Sequence, residues 1–179
     1  MFDKNLLKGK KILVTGGGSG LGKEMSRHFL TYGAEVIICG RRDEVLQKTA
    51  TELADETKGN ISAHSLDIRD SLAIEETINN IFDEGPLDGL VNNAAGNFIS
   101  RTNDLSPNGF NAIASIVFHG TFNMTNTVGK KWIELNKPGT ILSITTTWVW
   151  TGSPFVVPSA MSKSGINAMT KSLAVEWGP

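Results

Sequence analysis

The sequence predicts a doubly wound parallel α/β sheet, and two features carry that prediction. Short apolar runs alternate with longer amphipathic stretches from end to end, and several of the 19 glycines gather in a single loop while others sit at strand ends. The 179 residues suffice for one domain with a sizeable core and fall short of two comfortable ones. No repeat, low-complexity segment or linker interrupts the pattern.

Taken in order, Lys10–Thr15 reads as a short buried strand and Ser19–Tyr32 as a helix entered through glycines. Glu35–Cys39 is a second strand and Asp43–Lys58 a helix with one polar face. Ile61–Leu66 makes a third strand, followed by a helix over 70–83. Pro86 breaks the chain before the strand Asp88–Asn92, and a longer loop leads to a helix over 108–135. Gly139–Thr145 is the fifth strand, and Ser159–Trp177 is a helix with Ile166, Met169, Leu173 and Trp177 along one side. Alternation of this kind implies parallel pairing through right-handed crossovers.

Bulk composition excludes several classes. A formal net charge of −1 gives no electrostatic footprint for nucleic acid or an anionic membrane surface. No apolar run is long enough to span a bilayer, and neither a signal core nor a transit pattern is present, so the expected compartment is the cytoplasm. The one cysteine, Cys39, permits no internal disulfide or cysteine-cluster metal site, and its apolar surroundings (Val36-Ile37-Ile38) predict a buried, inert thiol. The triplets Asn60-Ile61-Ser62 and Asn123-Met124-Thr125 fit a glycosylation pattern, but without a signal peptide they are chance matches.

Chemistry concentrates first in Thr15-Gly16-Gly17-Gly18-Ser19-Gly20-Leu21-Gly22. A strand-to-helix turn uses positive φ angles, and a Cβ here would hold a pyrophosphate away from the backbone N–H groups. Gly22 would allow close packing of helix on sheet. The spacing is T-G-x-x-x-G-x-G, not G-x-G-x-x-G. After the second strand stands Gly40-Arg41-Arg42, with no acid before Asp43. Arginine suits a 2′-phosphate where a carboxylate would hold a ribose hydroxyl, so NADP(H) is preferred; the alternative is two solvated arginines opening a helix. Asp67, beside Ile68, could read an adenine amino group or serve as a helix N-cap.

With Thr15-Gly16-x-x-x-Gly20-x-Gly22 and Asn92-Asn93-Ala94-Ala95-Gly96 in this order, the chain resembles the short-chain dehydrogenase/reductase family over nearly its whole length. The resemblance implies a Rossmann-like fold and a cofactor site built from Thr15, Gly16, Gly18, Ser19, Gly20, Leu21, Gly22, Arg41, Arg42, Asp67, Ile68, Asn93, Ala94, Ala95, Gly96 and Lys163. Most members carry Y-x-x-x-K on the last helix; here it reads Ser159-Ala160-Met161-Ser162-Lys163, so the lysine is kept and serine replaces the tyrosine acid. The family's serine corresponds to Thr146 and its mid-helix asparagine to Val117.

Within the family the chain resembles the 2,4-dienoyl-CoA reductase branch, on Asn93-Ala94-Ala95-Gly96-Asn97-Phe98, Gly120-Thr121-Phe122, Phe155-Val156-Val157-Pro158-Ser159-Ala160 and Leu173-Ala174-Val175-Glu176-Trp177-Gly178. That branch reduces a conjugated thioester, whose oxygen needs hydrogen-bond donors more than a strong acid. By resemblance Asn97 is a donor to that oxygen, Lys163 holds the nicotinamide ribose and Ser159 orients the lysine or cofactor. Trp148 stands where the branch has a tyrosine donor; His119 and Trp150 take packing or rim roles. The implied function is NADPH-dependent reduction of an acyl-CoA thioester. The alternatives are another enoyl or keto reductase of the family, or a catalytically silent NADP(H)-binding chain. A homodimer or homotetramer is expected through the two long helices. Family members continue with further strands after the last helix, so the chain is expected to be a single domain over 1–179 truncated at its C-terminus.

Overall fold

The computed structural model describes residues 2–178. Five strands form one parallel sheet in the order β3-β2-β1-β4-β5. They are β1 (Lys11–Thr15), β2 (Glu35–Gly40), β3 (Ile61–Ser65), β4 (Gly89–Asn92) and β5 (Thr140–Ser143). Helices α1 (Gly20–Thr31), α2 (Asp43–Thr57) and α3 (Ser71–Asp83) make the first crossovers. The chain steps outward from β1 to β3, then returns across the sheet to place β4 on the free side of β1. The carboxyl ends of β1 and β4 therefore diverge at a topological switch point, where open α/β sheets leave a crevice.

The three central strands, β1, β2 and β4, are buried on both faces, as parallel strands between two helix layers must be, while the edge strands β3 and β5 are only partly covered. Leu13, Ile37 and Leu90 pack with Ile74, Ile78, Met124 and Val128 on one face. Ile12, Val14, Val36, Ile38 and Val91 pack with Leu30, Leu46 and Leu53 on the other. The period-two alternation along β1 divides its side chains between the two cores. Cys39 is fully buried in the first core, and burial pushes its thiol up to about 12, as expected of an inert cysteine.

The middle helix departs from the sequence expectation. Residues 107–134 are helical, but α4 (Pro107–Ala114) passes into a π-helical turn, Ser115–Gly120, before α5 (Thr121–Glu134). Here Gly120 crosses so close to the loop after β3 that a Cβ would lie 2.7 Å from the Ile68 side chain. A wider turn inserts one residue without changing the apolar pattern on either side, so periodicity does not reveal it. Strand β5 is shorter than expected because its ladder ends with β4, at Asn92↔Ser143. A short helix α6 (Trp148–Thr151) follows, and α7 (Val157–Glu176) begins earlier than expected, with Pro158 in its first turn where a missing N–H costs nothing.

Two aromatic rings seated on glycines dock α7. The Phe118 ring lies 2.4 Å from where a Gly165 Cβ would stand, and the Trp177 ring 2.4 Å from that of Gly129. Asn92 ties β4 to its neighbours: its buried amide donates to Thr125 Oγ1 at 2.9 Å and Ser143 Oγ at 3.3 Å. Replacing Thr125 with valine, similar in shape, removes the shorter of these bonds from a buried amide. The variant is expected to lose about 1–3 kcal/mol, seen as a lower urea midpoint with an unchanged m-value.

Candidate cofactor and active site

The crevice at the switch point is a cavity of about 360 Å³. Gly16, Gly18, Ser19 and Leu21 form one wall, Arg41, Arg42, Asp67 and Ile68 the far end, and Asn93, Ala94 and Ala95 the wall across from the turn. Thr15, Gly20, Gly22, Gly96 and Lys163 lie outside that lining, and the first three have legible structural tasks. Thr15 is buried beneath the turn: its hydroxyl accepts from the backbone N–H groups of Asn93 and Ala94, each at 3.0 Å, and donates to the Val91 carbonyl at 3.3 Å. Gly16 and Gly20 take φ of 67° and 53°. Gly22 packs so closely on the turn that a Cβ would stand 2.3 Å from the Gly16 carbonyl oxygen and 2.6 Å from Asn93 Nδ2. The close approach read for Gly22 is thus made to the turn itself. Gly17 is equally constrained, its Cβ position 2.5 Å from Ile38 Cγ2.

The amino end of α1 opens onto this cavity with no side-chain cap, which suits it to an anion. Asp70 caps α3 through the N–H groups of Leu72 and Ala73, and Ser106 caps α4 through that of Gly109. Ser19, at the same place on α1, makes no such bond, and no acid stands in the first turn. The first N–H groups of α1 are thereby left for a ligand, with the positive end of the helix dipole behind them. A dinucleotide's pyrophosphate fits this end, where the turn's missing Cβ atoms leave the backbone open.

At the far end, the N-cap role weighed for Asp67 belongs to Asp70. Asp67 instead accepts from the Arg69 backbone N–H at 3.0 Å and from its guanidinium, which holds the Asp67 carboxyl below the usual aspartate range. Arg41 and Arg42 are exposed and enter no ion pair among the described residues; Asp67, the only carboxylate among the described lining residues, is paired with Arg69, and the charge of Arg41 nearby adds to the lowering of its carboxyl. Sequence reasoning did not single out Val45, Leu46, Leu66 and Ile116, which supply the apolar part of the lining. Their signal, apolar residues in the first helical turn or strand end beside a motif, is the same as that of ordinary core.

Of the residues expected near the chemistry, Lys163 and Ser159 lie one turn apart on α7 and are both 6% exposed. The Lys163 ammonium donates to the Ile144 carbonyl, just past β5, and faces no carboxylate among the described residues. Burial holds its pKa below the ordinary lysine value. Thr146 follows two residues after Ile144, and Trp148 opens α6, both half-buried. Asn97 is exposed on the loop after β4. Among the described residues no side-chain hydrogen bond links Asn97, Thr146, Trp148, Ser159 and Lys163 to one another. Val117, at the asparagine position, is fully buried against Ile113 and Ile166. His119 meets Phe118 edge-on, and Trp150 is 74% exposed.

A buried, unpaired ammonium makes the folded state bind fewer protons than the unfolded chain between the depressed folded pKa and the ordinary lysine value. Stability should therefore rise with pH across that alkaline window. Lys163→Met is expected to abolish this rise and to be no less stable than the parent at neutral pH, while weakening dinucleotide binding. Urea titrations at several pH values, paired with cofactor fluorescence, check both halves.

The geometry has close counterparts. Residues 10–179 match the family model described as short chain dehydrogenase. A Caenorhabditis elegans protein named "Probable 2,4-dienoyl-CoA reductase 3" is 47% identical over 174 residues, 96% of this chain and 56% of its own length. The "Peroxisomal 2,4-dienoyl-CoA reductase" of Arabidopsis thaliana is 36% identical over 186 residues, 99% of this chain and 62% of its own. The chain thus spans a little over half the length of these curated relatives. A crystal structure of a short chain dehydrogenase from Bacillus anthracis superposes with a TM-score of 0.90 at 43% identity, covering 94% of this chain and 70% of that one. Sheet order, glycine turn and the β4 loop agree with a match running through both signature segments: the chain belongs to the short chain dehydrogenase family.

Proposed function

We propose that residues 1–179 act as one NADP(H)-binding Rossmann-like domain serving the NADPH-dependent reduction of 2,4-dienoyl-CoA thioesters. The observation that carries this reading is the pairing on α7 of a retained, buried Lys163 with Ser159 in place of the usual tyrosine acid. A site without a phenol is poorly suited to protonating a carbonyl oxygen, yet adequate where that oxygen needs only hydrogen-bond donors. The names of the relatives support the same substrate class.

Bound NADPH would supply hydride to the far end of the conjugated system. The chain's own residues have the remaining tasks. As the hydride adds, electrons shift onto the thioester oxygen, where the Asn97 amide and the Trp148 indole N–H donate. A proton from water then completes the product at carbon. Lys163, anchored on the Ile144 carbonyl, holds the nicotinamide ribose, and Ser159 and Thr146 orient the lysine and cofactor. Gly96 keeps the β4 loop close to Ile116: a Cβ there would lie 3.4 Å from its side chain. Arg41 and Arg42 select the 2′-phosphate. A homodimer or homotetramer is proposed through the long helices, on which Phe122 and Met161 are exposed. No helix among the described residues is long and apolar enough to cross a membrane. A cytoplasmic location is proposed beside the peroxisomal name of one relative, and cell fractionation decides between them.

Trp148 favours one other reading. An indole can donate the one hydrogen bond the reduction asks for but, unlike a tyrosine hydroxyl, can accept none from a partner that would orient it, and a site altered in this way suits a silent NADP(H)-binding chain. NADPH consumption with a 2,4-dienoyl-CoA but not with ketones is expected on the first reading; saturable NADPH binding without turnover on either substrate identifies the second. Replacing Arg41 and Arg42 together with alanine is expected to raise the Kd for NADPH about 10- to 100-fold and leave that for NADH little changed. Equal loss for both cofactors would remove the 2′-phosphate assignment.

A further inference from the structure

A second cavity, of about 510 Å³, lies at the opposite end of the sheet from the cofactor crevice. The amino ends of β1 and β2, the N-terminal turn and the loop after α2 enclose it, and the N-terminal turn is fastened there by the Leu7 N–H to the Tyr32 carbonyl at 2.9 Å. Among the described residues its lining holds Lys4, Lys8, Lys10, Lys11 and Lys58 against a single carboxylate, Glu35. In a chain of net charge −1, this is a local excess that the composition as a whole does not suggest.

The carboxylates at hand are already committed. Glu35 pairs with Lys11 at 3.0 Å, and Lys10 reaches Asp88, which Lys137 also holds at 3.0 Å. Lys4, Lys8 and Lys58 have no ion-pair partner among the described residues. Lys58 carries a second sign. It takes φ 57°, a left-handed conformation that favours glycine. A lysine there strains the backbone. Its position at the carboxyl end of α2 offsets the helix dipole, which accounts for one cation and not for Lys4 and Lys8 in the same lining.

We infer that this lysine-lined cavity is a binding site for a soluble anion bearing several linked phosphates. The residue type narrows the class. Lysine is a compact point charge that suits phosphate, whereas planar carboxylate recognition favours the paired donors of arginine, and among the described residues no arginine lines the cavity. The three free amines come from two separate segments, so one ligand that neutralises them carries its charges along a length. Occupancy is compatible with a filled cofactor crevice, because the two cavities share no lining residue.

The test is calorimetric titration of the 179-residue chain with inorganic tripolyphosphate, with orthophosphate and with vesicles containing phosphatidylglycerol. Saturable tripolyphosphate binding at one site is expected, at least about tenfold tighter than orthophosphate, and unchanged when NADPH is present. The Lys4→Ala/Lys8→Ala/Lys58→Ala variant should lose at least about tenfold of that affinity with NADPH binding intact. Lys58→Gly relieves the backbone, so it should raise the thermal midpoint while weakening tripolyphosphate, which separates a binding defect from misfolding. Binding displaced by NADPH, binding indifferent to the lysine substitutions, equal affinity for orthophosphate, or attachment to vesicles alone would each overturn the inference.

Discussion

The Thr15 hydroxyl, buried between β1 and β4, accepts from two backbone N–H groups of the Asn93-Ala94 segment and donates to the carbonyl of Val91. Everything at the switch point depends on it. The two strands diverge there, and a crevice between diverging loops has no ladder to set its width. Asn93 reinforces the closure from the other side, its Nδ2 donating to the Thr15 carbonyl at 3.0 Å and the Gly16 carbonyl at 3.3 Å. The glycine turn and the β4 loop, distant in sequence, thus form one rigid unit. Closure thus rests on a buried Thr15 and a half-buried Asn93 that bond to backbone groups of the turn and the loop, and it leaves the backbone N–H groups at the start of α1 for a ligand.

Much of this was legible from residue order. The alternation of apolar and amphipathic runs placed every strand and long helix to within a few residues, since periodicities of 2 and 3.6 leave distinct patterns. The glycine turn declared its conformation because positive φ and close approach both demand glycine. Other parts were silent for physical reasons. Thr15 belongs to the motif, but a hydroxyl that binds ligand and one that ties two strands together look alike as a letter. The Asp67–Arg69 pair depended on a loop conformation that spacing does not encode. The π-helical turn at Ser115–Gly120 left no trace, because one extra residue in a helix shifts the apolar face without erasing it. Four residues of α6 are too few for a periodic signal.

Lys163 shows a site at odds with its own stability. Burying an ammonium with only a carbonyl as partner is unfavourable, and α7 tolerates it because rings seated on Gly129 and Gly165 hold the helix in place. Cores of this kind offset a costly residue elsewhere in the fold, and such residues cluster where function is served. With Val117 at the asparagine position and Ser159 at the tyrosine position, the lysine keeps its place after its usual partners have changed. On the proposed reading Lys163 anchors a ribose, which asks less of those partners than passing a proton does.

Cys39, sealed in the core with its thiol pushed up to about 12, has a practical consequence. At neutral pH almost none of it is thiolate, and no path leads to it while the fold is intact. Alkylating and disulfide-forming reagents should therefore pass the native chain by, so a cysteine introduced at any exposed position would be the sole reactive thiol. A dye or spin label could then be placed on the rim of either cavity without first removing a native cysteine. Reaction of Cys39 itself would report the opening of the core, as a built-in clock for global unfolding.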